Sequence, residues 1–93
     1  MSPSPDTLAL REAMGAHFAV LVLKHWQTDE LCAKACGVSR GWVMHRVKGR
    51  TPVSLEDLVR LYRAIPGLVA WSTSAIFGHA VAGVRRELKC RRA

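Results

Sequence analysis

Three cysteines, four histidines and a Ser-Thr-Ser run are the first side chains to weigh for metal-binding or nucleophilic chemistry. Cys32 and Cys36 stand four positions apart, which puts both thiols on one face of a helix. A structural metal would need more ligands, and no second Cys or His pair stands at zinc-finger spacing. The pair reads as small apolar residues. With Cys90 the count is odd, which argues against a disulfide framework. His17, His25 and His79 have no recognisable catalytic companions, and Ser72, Thr73 and Ser74 suit helix caps better than nucleophiles. The pattern offers no carboxylate pair and no glycine loop for phosphate. The expectation is a protein that is not an enzyme and uses no cofactor or metal.

The cations carry a more definite bias. There are 14 Lys and Arg against 7 Asp and Glu, a formal net charge of +7. Over residues 31–55 there is no acidic side chain, but Lys34, Arg40, Arg46, Lys48 and Arg50 are present. A second cluster, Arg85, Arg86, Lys89, Arg91 and Arg92, is offset only by Glu87. Such clusters suit a polyanion, either nucleic acid or an anionic membrane surface. The second cluster taken alone reads equally well as a solvated face.

Composition narrows the class. Apolar residues make up 49% of the chain, too many for a disordered one. The one dense apolar run, 18–23, is far shorter than the roughly 20 residues of a membrane span. The opening Met1-Ser2-Pro3-Ser4-Pro5 lacks the basic residues that begin a secretory signal. A cytoplasmic protein without membrane association is expected. At 93 residues it should be one domain with a modest core, which dimerisation would supplement.

Caps and periodicity position these groups on helices. Ser4, Pro5 and Asp6 make a helix start, and Leu8, Met14, Phe18, Leu21 and Val22 recur at helical spacing to about His25. The run 18–23 also fits a buried strand, although no partner strand is visible. Thr28 followed by Asp29 and Glu30 opens a second helix, and Gly37 closes it. Ser39 caps a third helix that reaches Lys48, where Gly49 stops it. Thr51-Pro52 turns the chain. Ser54 with Asp57 gives a capping box for a fourth helix, whose stripe is Leu55, Leu58, Val59, Tyr62 and Ile65. Pro66-Gly67 ends it. One of Ser72, Thr73 or Ser74 caps a fifth helix, about 74–90, with Ile76, Phe77, Ala80, Val81, Val84 and Leu88 on one face.

The segment 28–48 follows the rules of a helix-turn-helix. Ala33 is the small residue where two steeply crossed helices approach, Gly37 makes the turn, and Val38 and Val43 anchor the second helix. Over about residues 28–65 the chain resembles the Cro and lambda-repressor-like (XRE-like) family. The likeness rests on Ala33, Gly37-Val38-Ser39, Val43, Val47-Lys48-Gly49-Arg50, Pro52 and Ser54-Leu55-Glu56. It implies an all-α, compact five-helix domain, usually dimeric, that binds an operator and represses transcription. Asp29 stands where the family usually has a phosphate-holding Gln, a contact a carboxylate does not make. Arg46 stands where an apolar or aromatic residue is usual, and is expected to turn outward or stack near Trp42. Cys32 replaces a larger apolar residue, and Leu31 is expected to pack against the first helix instead.

The resemblance places Ser39, Arg40, Gly41, Met44, His45 and Lys48 toward the DNA. Arg40 is the first choice for reading a base, because its planar fork fits O6 and N7 of guanine; a phosphate contact is the alternative. Gly41 gives room for close approach or simply eases the start of the helix. Met44 suits a thymine methyl or a surface-filling role. His45 is placed to donate to a base or phosphate, or is solvated without a role. Lys48 and Arg50 read as phosphate clamps. Trp42 is expected against the second helix, with the sugar-phosphate backbone as the alternative. Trp26 and Trp71 are expected in the core or an interface.

The function implied is a sequence-specific repressor of phage, prophage or mobile-element type, acting as a homodimer on a pseudo-palindromic duplex operator. The competing class is an antitoxin or other protein-interaction module that binds DNA only to autoregulate. The fifth helix is the expected dimer element, with folding back onto the monomer core as its alternative. In the dimer case a charge at Val81 or Val84 separates the protomers.

Overall fold

The computed structural model describes residues 4–67 and 71–92, without the side chains of residues 91 and 92. Met1 to Pro3 thus lie outside the described residues, and for Arg91 and Arg92 of the second basic cluster only the backbone is described. Five helices follow one another, α1 (Pro5–His25), α2 (Asp29–Cys36), α3 (Arg40–Val47), α4 (Leu55–Ala64) and α5 (Thr73–Arg92), with no strand among the described residues. The apolar run 18–23 is helical.

Local signals set these boundaries. Ser4, Thr28, Ser39 and Ser54 each accept a hydrogen bond from a backbone N–H in the first turn of α1, α2, α3 and α4. A cap of this kind contributes about 1 kcal/mol. The Asp57 side chain reaches back to the Ser54 N–H and completes the capping box. For α5 the cap is Ser72, whose Oγ accepts from the Ala75 N–H at 3.2 Å. Gly37 ends α2 at φ 70°, a left-handed conformation that glycine adopts without a steric cost. The end of α1 uses the same region without glycine. Gln27 sits at φ 69°, and the N–H groups of Trp26 and Gln27 both donate to the Val22 carbonyl.

The first helix is the spine, touching all four others. Phe18, Val43, Leu58 and Leu61 are fully buried where α1, α3 and α4 meet. Leu61 was absent from the expected stripe of α4. Leu8 and Leu31 depart from expectation in the other direction. They are 45% and 50% exposed, because each lies on the side of its helix turned away from the shared core.

The fifth helix folds back against α1 and α4. Its apolar face splits. Ile76, Ala80 and Val84 enter the core, Leu88 is half-buried against it, and Phe77 and Val81 remain exposed. A charge at Val84 therefore attacks the fold itself, and only Val81 is suited to probing a contact between protomers.

Three helices converge on one buried histidine. His17 of α1 is 6% exposed, and its Nε2 lies 2.6 Å from the Tyr62 hydroxyl of α4. Tyr62 in turn donates toward the His79 carbonyl of α5 at 3.4 Å. Burial lowers the His17 pKa below its ordinary value; the Arg86 charge lowers it further, and Glu87 opposes. The sign of the linkage follows. Below about pH 6.5 the unfolded chain takes up a proton that the folded chain resists. This contribution to stability is complete above pH 6.5 and is lost as pH falls from there toward the depressed folded value. The expected slope approaches at most about 1.4 kcal/mol per pH unit. Urea melts at pH 7.5 and 5.5 should show the loss, and His17→Gln should remove most of the pH dependence. The smaller part from His25, lowered by partial burial and by Lys24, should remain. An unchanged slope in His17→Gln would reassign the effect.

Candidate nucleic-acid interface

The unit that presents the candidate residues is α2, the turn at residues 37–39, and α3. Both helices have eight residues and both begin at a hydroxyl cap. Cys32 and Ala33 of α2 and Val43 of α3 are buried at the core, and Val38 in the turn is half-buried against it. The small side chain of Ala33 lets the helices approach, as the sequence pattern requires.

The opposite side of α3 faces out. Arg40, Met44 and Lys48 follow one another at four-residue spacing, with Gly41 and His45 alongside, so helical geometry joins them in one strip. Arg40, His45, Lys48 and Arg50 are exposed, whereas Gly41 and Met44 are partly covered. Ser39 is committed to the N-cap, where its Oγ accepts from the Trp42 N–H at 3.1 Å. Arg50 lies beyond the helix. Its N–H donates to the His45 carbonyl at 2.8 Å, after Gly49 at φ 77° has turned the chain. A Cβ on Gly41 would meet only Ser39 Oγ, at 4.0 Å, so packing within the chain does not demand glycine there.

Arg46 takes the second of the two arrangements expected for it. Its guanidinium stacks over Trp42, 3.9 Å from the ring centroid, and does not turn outward. Its Nε donates to Asp57 Oδ2 at 3.1 Å, and a terminal nitrogen donates to the Trp42 carbonyl, also at 3.1 Å. Because the same Asp57 oxygen completes the capping box of α4, Arg46 ties α3 to the start of α4. Trp42 packs its ring against Phe18 of α1, with centroids 5.9 Å apart. Trp26 is half-buried against the core; Trp71 is 40% exposed and stacks on His79.

No protein-family model, curated protein or solved structure matches the chain. Its site is therefore read from its own geometry.

That geometry adds a residue that the sequence did not single out. Arg11 of α1 is exposed and borders the same open hollow as Lys48, Gly49 and Thr51. The two cations are 37 positions apart, so no local pattern links them. At the other end of the strip, Arg40 borders a hollow with Gln27, Thr28, Asp29 and Glu30. Its positive charge thus faces the acidic start of α2, which lowers the local potential for an anion. Among the described residues no helix is long and apolar enough to cross a membrane.

Proposed function

We propose that this chain is a sequence-specific regulator of transcription that binds double-stranded DNA inside the cell. It is a repressor of phage, prophage or mobile-element type with a lambda-repressor-like helix-turn-helix. The observation that carries this reading is the strip Arg40, Gly41, Met44, His45 and Lys48 on the outer side of a short, capped helix, whose inner side is anchored at Val43. A helix of about 10–12 Å diameter fits a major groove about 12 Å wide. Lys48, Arg50 and Arg11 flank the strip where backbone phosphates would run. The exposed Phe77 and Val81 of α5 supply an apolar face for a homodimer, which would read a pseudo-palindrome.

Selection from a random duplex pool tests the reading as a whole. The expected product is a pseudo-palindromic site bound by a species of twice the chain mass in sedimentation. A monomer, or a pool that does not converge, overturns it. Within the selected site, Arg40→Ala is expected to cost about 1–3 kcal/mol and much less on random DNA. Lys48→Ala should weaken both alike, because a phosphate contact carries no sequence information. If Arg40→Ala leaves the ratio of specific to random binding unchanged, α3 is not the reading helix.

A further inference from the structure

The two thiols of α2 lie outside the interface just described. Cys32 and Cys36 are free cysteines on adjacent turns, with their Sγ atoms 4.0 Å apart. Cys32 is fully buried. Cys36 is half-buried and lines an open hollow of about 540 Å³ between α2 and α4, bordered by Glu56, Arg60 and Arg63. We propose that the two sulfurs form a two-coordinate site for one soft, thiophilic cation of the copper(I) or silver(I) class, admitted through this hollow.

The distance fits such an ion. Metal–sulfur bonds of about 2.3 Å let two sulfurs hold a shared ion at separations up to about 4.6 Å. The observed 4.0 Å is about 0.6 Å short of the straight arrangement that two-coordinate soft ions prefer, a gap that rotation of the half-buried Cys36 side chain must close on binding. The donor set selects the class of ion. Zinc in a structural site wants four ligands, and among the described residues no group of three or more His, Cys, Asp or Glu could hold a metal. Two thiolates alone suit a soft monovalent ion.

Charge and proton balance are also met. An ordinary thiol is protonated at pH 7, so the empty site is a neutral dithiol. Each S–H bond gives up its proton as an S–metal bond forms, and no oxidation state changes. Two thiolates around a monovalent ion carry one net negative charge. Arg60 is placed to compensate, since it lines the same hollow as Cys36. Hard and borderline ions, which gain less from sulfur, repay the loss of two protons poorly.

The test uses the full chain with Cys90→Ser, which removes an exposed competing thiol. Silver(I) in chloride-free buffer at pH 7 is the probe. Ultraviolet thiolate-to-metal absorption, native mass spectrometry and proton release are the readouts. One ion per chain and two protons per ion are expected, with no displacement by equimolar zinc. Adding Cys36→Ser is expected to weaken binding by about 10²–10⁴-fold, because the second sulfur no longer captures the ion within the molecule. Cys36 is only half-buried, so this variant should keep its far-ultraviolet helicity, and Cys36→Ala provides a second variant if it does not. Affinity within tenfold of the parent in a folded variant, one proton per ion, or binding only in chains that retain Cys90 overturns the site. None of these outcomes depends on DNA binding.

Discussion

Between 50 and 200 mM salt the affinity of this protein for duplex DNA is expected to fall by about 10³–10⁵-fold. That is the loss for a complex that neutralises roughly 6–10 phosphates and releases their condensed counterions. The structure changes which cations enter this count. Arg46 belongs to the acid-free stretch in the sequence, yet it is held by Asp57 and Trp42 with its side chain only 16% exposed. Arg40, Lys48, Arg50 and Arg11 are exposed around α3, and two copies of the chain present enough of them to meet the requirement. Arg46→Ala should therefore leave the salt slope almost unchanged while lowering stability, whereas Lys48→Ala should reduce the slope by about 1 for each protomer engaged. Filter-binding or anisotropy titrations across that salt range decide the matter. An affinity insensitive to salt, or no duplex binding at 50 mM, would falsify the assignment.

The parts of this molecule legible in its sequence are those fixed by neighbours in the chain. Ser4, Thr28, Ser39 and Ser54 cap helices because each has a free N–H within three residues, and Gly37 ends α2 because a single residue must take positive φ. Periodicity then places Phe18, Val43 and Leu58 inside. What the sequence does not disclose depends on distant partners. Of the two arrangements open to Arg46, the one over Trp42 is selected by Asp57, 11 positions on, whose carboxylate already serves the cap of α4. Arg11 comes to border the same hollow as Lys48 only through the packing of α1. Gln27 adopts positive φ without the glycine that would announce it. The apolar face of α5 is continuous as a pattern, and only the position of α1 and α4 divides it into core and exposed halves. The strip on α3 needed a single helix to be placed correctly, which is why it was legible. Its electrostatic setting required tertiary structure.

Gly83→Ala is expected to destabilise the fold by about 2–4 kcal/mol, although glycine to alanine inside a helix ordinarily stabilises by about 1 kcal/mol. The reversal of sign comes from His17. Gly83 is buried on the inner face of α5, and a Cβ there would overlap Cε1 and Nε2 of the His17 ring and lie 2.8 Å from Nδ1. The ring has little room to withdraw, since it is buried and its Nε2 is held 2.6 Å from the Tyr62 hydroxyl. Overpacking of this kind costs about 1–3 kcal/mol, and a buried polar partner left without its hydrogen bond adds about 1–3 more. Together these exceed the gain in helix propensity. Gly78 is the control, being exposed on the same helix with nothing within 4 Å of an added Cβ. Gly78→Ala is expected to raise stability by about 0.5–1 kcal/mol. Thermal melts should therefore move in opposite directions, with Gly83→Ala lowering Tm by about 10 °C or more. A double-mutant cycle supplies the causal link. In a His17→Ala background the ring is gone, and Gly83→Ala should lose most of its penalty. If the penalty survives there, or if Gly83→Ala stabilises the wild-type protein, α5 is not clamped to α1 through this histidine.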